Sequence, residues 1–87
     1  MEEFETAEAW YRRQSANAGL RFLAAVYDTL EEIANSPQTW PEYLYGCRKF
    51  LLQQFPYAVT YREKETRTEI LAISHGHRRP EYWRQRL

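Results

Sequence analysis

Residues 57–75 read YAVTYREKETRTEILAISH, and the spacing within this stretch decides the fold. Tyr57, Val59 and Tyr61 alternate with Ala58, Thr60 and Arg62. Further on, Ile70, Ala72 and Ser74 oppose Leu71, Ile73 and His75. Side chains of a strand point to alternate faces, so a period of two predicts two strands, here joined by the polar segment EKETRT at 63–68. Consecutive strands with a short polar link pair antiparallel. Pro56 stands at the entry of the first run, and CRKFLLQQ at 47–54 reads as one more strand before it.

Working towards the N-terminus, the loop PQTWPEYLYG at 37–46 separates these strands from a region of helical period. In LRFLAAVYDTLEEIANSP, Leu20, Leu23, Tyr27, Leu30 and Ala34 step by 3, 4, 3 and 4, with Phe22, Val26 and Ile33 beside them, and Pro37 follows the end. EEFETAEAWYRRQ places Phe4, Ala7, Trp10 and Tyr11 on one helical face behind glutamates that suit a helix N-terminus. Ser15, Asn17 and Gly19 of SANAG favour caps and turns, so the two helices should form a hairpin. Trp10, Tyr11, Phe22 and Tyr27 are the expected helical core residues. Helices first and strands afterwards give an α+β layer, a helical hairpin packed on a small three-stranded antiparallel sheet. PEYWRQRL at 80–87 has the form of a last helical turn with Pro80 at its first position.

Composition bounds what such a layer can do. Eighty-seven residues, taken as one domain spanning 1–87, bury only somewhat more than about 60% of their unfolded surface, so aromatic bulk matters. Three tryptophans, seven tyrosines and four phenylalanines supply it. Cys47 is the single cysteine, which rules out an internal disulfide and a four-cysteine zinc site and fits a reducing cytosol. No apolar run approaches the roughly 18 residues of a membrane span, and the acidic start MEEFE is unlike a signal peptide. A soluble, cytoplasmic protein without membrane contact is expected. The formal charge is zero but segregated: 1–43 holds three Arg against eight Asp and Glu, and 44–87 holds nine Lys and Arg against four Glu. Zero net charge argues against a generic nucleic-acid coat. The basic half either neutralises the acidic half or meets one anionic partner.

With these elements in order, AEAWYRRQSANAGLRFLAAVYDTLEEIANSP, WPEYLYGCRKFLLQQFPYAVTYRE and EILAISHGHRRPEYWRQR together resemble the ParE/RelE toxin superfamily, and its ParE-like, plasmid-stabilisation branch most closely. The resemblance spans nearly the whole chain, with GLRFL, FPYAVTY and LAISHGHRRPEYW as its most specific pieces. It implies the toxin of a bacterial type II toxin–antitoxin pair, neutralised by a cognate antitoxin protein. Family members usually open with a strand before the hairpin, whereas here the first helix begins almost at Met1. A late-assigned or truncated start is the expectation. A lost strand would leave backbone groups unpaired at a sheet edge and put toxicity in doubt; an inactive member that only binds antitoxin is then a further reading.

The superfamily implies two target classes. ParE-like members bind DNA gyrase; RelE-like members cut messenger RNA on the ribosome. RNA cleavage needs a base for the 2′-hydroxyl, a cation for the charged phosphorane and an acid for the leaving oxygen. The candidates are His75 or His77 as base or acid, Arg48 and Arg78 as charge stabilisers, and Tyr82 as a terminal partner. Two departures weaken this reading: ribosome-dependent relatives carry arginine where this chain has Ala58, and again about where it has Gly76. The leading expectation is therefore a toxin that works by binding gyrase, with no cofactor; the alternative is a ribosome-dependent mRNA endonuclease.

Residue by residue, the blander readings stand beside these. His75 and His77 point to one side of an extended segment, but no third ligand lies near for a metal. Arg78 and Arg79 either contact an anionic or acidic partner or pair with helix carboxylates. Tyr82 and Trp83 are read as anchors packing the C-terminus rather than as base-stacking platforms. Arg48 and Lys49 stand at a strand start, as a solvated edge or as target contacts. Cys47 has no activating neighbour in sequence and reads as a structural thiol. The candidate target- or antitoxin-binding set is thus Arg48, Lys49, Arg78, Arg79, Tyr82 and Trp83.

Overall fold

A computed structural model describes the backbone of residues 2–75 and the side chains of 3–75. His77, Arg78, Arg79, Tyr82, Trp83 and the helical turn expected at 80–87 lie outside the described residues. In chain order the elements are α1 (Glu2–Gln14), α2 (Ala16–Asn35), β1 (Arg48–Leu51), β2 (Tyr57–Lys64) and β3 (Arg67–His75). The helices pack on a three-stranded antiparallel sheet of order β1-β2-β3, an α+β layer as the periodicities imply. Among the described residues no strand precedes α1, and no helix is long and apolar enough to cross a membrane.

The break between the helices is one residue, not the five of SANAG. Ser15 is extended, with φ −166° and ψ 152°, and its Oγ accepts from the Ala18 amide at 2.9 Å. That bond satisfies one of the donors a helix start leaves orphaned. Gly19, expected in the turn, instead lies inside α2, on the face that α2 buries. A Cβ at Gly19 would stand 3.0 Å from the Arg12 Cβ, so any larger residue would press α1 back by a few tenths of an ångström.

Gly19 begins the buried seam of α2, which continues through Phe22, Val26, Thr29 and Ile33 at steps of 3, 4, 3 and 4. This corrects the inward face read from sequence. Leu20 and Tyr27 of the other seam are 65% and 61% exposed, and Trp10 of α1 is 50% exposed, whereas Phe22 and Val26 are 0%. The helix carries two apolar seams of equal period, and periodicity alone does not rank them. Thr29 joins the buried one because its hydroxyl donates back to the Ala25 carbonyl at 2.8 Å. Full burial of Phe22, Val26 and Ile33 contributes about 1.5–3 kcal/mol each before chain entropy is set against it.

In the sheet, Phe50, Val59, Tyr61 and Ile73 join the same core cluster as the buried face of α2. The hairpin loop between β2 and β3 is shorter than EKETRT: the ladder runs to Lys64 opposite Arg67, leaving Glu65 at φ 57°, left-handed backbone that a non-glycine residue seldom adopts. A register shift between Thr60 and Tyr61 puts Ala72 opposite Thr60 and Ile70 opposite Tyr61. The extra residue, Leu71, breaks strict alternation; it packs with Cys47 and Ala72, while Ile70 and Ile73 both touch the main core.

Candidate functional site

Two candidate residue groups from the sequence fall at different places along β2, one at its start and one near its middle. Arg48 pairs with Tyr61 and His75 pairs with Tyr57. Tyr57 and Tyr61 stand four steps apart along the strand, roughly 13 Å at the rise of a β-strand. The fold therefore does not bring Arg48 and His75 into one constellation.

At the Tyr61 end, the side chain of Arg48 is committed to structure. It donates to the Trp40 carbonyl at 2.6 Å and to the Gln38 carbonyl at 3.5 Å. It also stands 3.6 Å from a Glu63 carboxylate oxygen and 3.9 Å from one of Glu42. Beside it, the Tyr61 hydroxyl donates to the Pro37 carbonyl at 2.8 Å. Together they fasten the loop after α2 to the sheet. Burial pushes the Tyr61 phenol above its ordinary value; Arg48 opposes that shift and Glu63 adds to it. Lys49 holds its ammonium 4.7 Å from the centroid of the Tyr43 ring.

Cys47, just before β1, is fully buried, and burial raises its thiol above the ordinary value, with Arg62 pulling the other way. On the hairpin, the Arg62 Nε donates to Glu69 at 2.7 Å and Arg67 stands at 3.1 Å. The bond from Arg62 is the main cause that holds the Glu69 carboxyl low.

The Tyr57 end is built from rings. Phe22 meets Tyr11 stacked at 5.0 Å, and meets Phe55 and Tyr57 edge-on at 5.3 and 5.4 Å. Tyr57 meets the His75 ring edge-on at 5.5 Å, and Tyr11 meets Trp10 at 5.0 Å. The chain of rings thus runs from the buried core to an exposed rim, where α1 borders the end of β3. Burial, with a smaller push from Tyr57, raises the Tyr11 phenol. Between α1 and β3 opens a cleft of about 400 Å³, walled by Glu3, Thr6, Ala7 and Trp10 on one side and Tyr57, Ser74 and His75 on the other. Among the described residues that line it, none is Arg or Lys. The sequence reading found His75 but missed Trp10 and Tyr57 as its neighbours.

Ala58, where ribosome-dependent relatives carry arginine, is 1% exposed, between Leu51 of β1 and Ser74 of β3. Among the described residues, no group of three His, Cys, Asp or Glu stands close enough to hold a metal ion.

A two-helix hairpin on a three-stranded antiparallel sheet is consistent with ParE-like toxins. The family model for the ParE toxin of the type II toxin–antitoxin system parDE matches residues 1–80, and the chain belongs to this family. Membership makes it a toxin of the type II class, for which an antitoxin is the implied partner. Neither the curated proteins nor the solved structures hold a significant match.

Proposed function

We propose that the chain, as one domain over 1–87, is a cytoplasmic plasmid-stabilisation toxin that acts by binding DNA gyrase, and that its cognate antitoxin neutralises it by direct binding. The observation that carries this reading is the chemistry of the cleft beside His75: an aromatic wall with a carboxylate and, among the described lining residues, no Lys or Arg. A phosphorane demands a preorganised cation, and the one described arginine of the candidate catalytic set, Arg48, is engaged by the Gln38 and Trp40 carbonyls beside Tyr61, away from His75. Half-exposed aromatic side chains beside polar groups are, by contrast, what protein partners use as anchors. Trp10, Tyr57 and His75 form the described part of the proposed contact surface. Lys49, Arg78, Arg79, Tyr82 and Trp83 are proposed to extend it, with Arg48 holding the adjoining loop in place.

The test is expression of the chain in growing cells with and without the antitoxin. The expected result is a DNA-damage response with intact messages, suppressed by the antitoxin, and inhibition of purified gyrase by the purified chain. Rapid cleavage of translated messages that disappears in the His75→Ala/His77→Ala variant would overturn the gyrase reading. It would install a RelE-like endonuclease in its place.

A further inference from the structure

We propose that the outward face of α2 is a self-association surface, on which a second copy of this chain docks with its own α2 antiparallel. The inference goes beyond the toxin reading and does not depend on it.

Leu20 and Tyr27 are the two large apolar side chains that α2 leaves most exposed, at 65% and 61%. They stand seven residues apart, two helical turns and roughly 10 Å along the axis, on the same side of the helix. Leu23 and Leu30, half-buried, extend the stripe on the flank towards α1. An antiparallel copy related by a two-fold axis between Leu23 and Ala24 sets Leu20 of each chain against Tyr27 of the other. The stripe is thus its own complement, the condition for a closed isologous pair. Ala24, exposed and small, lies beside that axis and permits the ordinary interhelical separation of about 8–10 Å.

The charges fit only this orientation. Arg21 follows Leu20 and Asp28 follows Tyr27; both border the same groove between α2 and the end of β1, so they share one flank of the helix. The two-fold operation brings Arg21 of one copy alongside Asp28 of the other, twice. The N-terminal half of the stripe carries Arg21, and the C-terminal half carries Asp28 and Glu31. A parallel pair related by a two-fold along the helices would put the Arg21–Asp28 flanks of the two copies on opposite sides of the seam, where they cannot pair. Such charge patterning selects orientation more than it adds affinity. A seam of this size lies below the roughly 1,200–2,000 Å² of a standard interface, so the dimer is reversible and concentration-dependent.

The test is sedimentation velocity on the full chain from about 1 to about 300 micromolar, the range in which so small an interface equilibrates. The expected result is a mass that rises from one chain to two. The Leu20→Ser/Tyr27→Ser variant is expected to stay at one chain throughout, with an unchanged melting temperature, since both side chains are exposed. Arg21→Glu should weaken association by at least about tenfold, and Arg21→Glu/Asp28→Arg should restore it. Under oxidising conditions Ala24→Cys should link two chains covalently. Ala16→Cys, roughly 12 Å further from the axis, should not; buried Cys47 does not compete. A wild-type chain that stays single at every concentration, a serine variant that pairs like wild type, or linkage through Ala16→Cys would each overturn the proposal. So would a stripe that remains open in the free chain and is covered only when the antitoxin is added. Toxicity is not read in any of these arms, so their failure leaves the gyrase reading standing.

Discussion

Two stretches of β2, the Tyr61 end of its pairing with β1 and the Tyr57 end beside β3, are held by different physics. At the Tyr61 end a guanidinium and a phenol reach for the carbonyls of Pro37, Gln38 and Trp40. At the Tyr57 end the contacts are ring on ring, and they continue outwards to Trp10 and His75. The difference follows from what each end has to close. A loop with exposed carbonyls needs donors of fixed direction, and arginine supplies several in one planar fork. The meeting of α1, α2 and two strands needs volume, and aromatic rings supply it while leaving polar edges at the rim. The polar end spends its cation on the fold. The aromatic end leaves a cleft open between α1 and β3.

The largest effect should come from the ring at the root of the aromatic end. Phe22 touches Phe4, Tyr11, Phe55 and Tyr57 and is wholly buried. Phe22→Ala is expected to cost about 3–5 kcal/mol, a large share of the roughly 5–15 kcal/mol that holds a domain together. Urea denaturation followed by circular dichroism checks it; a loss below about 1 kcal/mol would mean that the rings do not form a closed core.

The polar end should give next. Arg48→Ala leaves two loop carbonyls without their charged donor and is expected to cost about 2 kcal/mol. The ion pairs with Glu42 and Glu63 add little to this, being long and partly solvated. Arg48→Lys should recover only part of the loss, because a point charge cannot serve two carbonyls in the fork's geometry. Full recovery by lysine, read from the same denaturation curves, would make Arg48 an electrostatic partner of Glu63 rather than a loop fastener.

These contrasts bear on how much of the molecule can be read before it is folded. Element order, the hairpin of helices and the antiparallel ladder follow from periods of 3.6 and 2, which depend only on local spacing. The inward face of α2 does not. Both of its seams step by 3 and 4, and the buried one is marked by Gly19, whose missing Cβ admits Arg12. In a sequence a glycine three residues into a helix looks like a breaker. Its role as a contact is a property of two helices, not one. Arg48 poses the same difficulty: a cation at a strand start looks solvated until the loop folds back and offers it carbonyls. His75 was legible as a candidate by its chemistry, but Trp10 joined it only through the packing of α1 against β3.

A smaller effect separates the hydroxyl from the ring at the polar end. Tyr61→Phe removes the bond to the Pro37 carbonyl and is expected to cost about 1 kcal/mol at neutral pH. The sign of its pH dependence is fixed. The folded phenol titrates above its unfolded value of 10.0, chiefly because it is buried. The stability tied to its neutral form is therefore complete below pH 10.0 and is lost as pH rises through the folded value. Tyr61→Phe should thus lose less stability than wild type between neutral and strongly alkaline pH. Equal alkaline losses in the two proteins would place the sensitive phenol elsewhere, with Tyr11, also raised by burial, the next group to replace.

The smallest change in stability belongs to the rim of the cleft, and there it should matter most for partners. Trp10 is half exposed and borders the cleft with His75, so Trp10→Ser should shift stability by no more than about 0.5 kcal/mol. If the aromatic end is a contact surface, the same substitution should weaken binding to gyrase or to the antitoxin by about 2 kcal/mol or more, the scale on which a desolvated tryptophan anchor acts. Calorimetric titration against each partner, beside a melt of the variant, separates the two quantities. Binding that survives while the melt is unchanged would move the contact surface off this cleft. A melt that falls by several kcal/mol would instead make Trp10 part of the same closed core as Phe22, and the aromatic end would then be as fully committed to the fold as Arg48 is at the other.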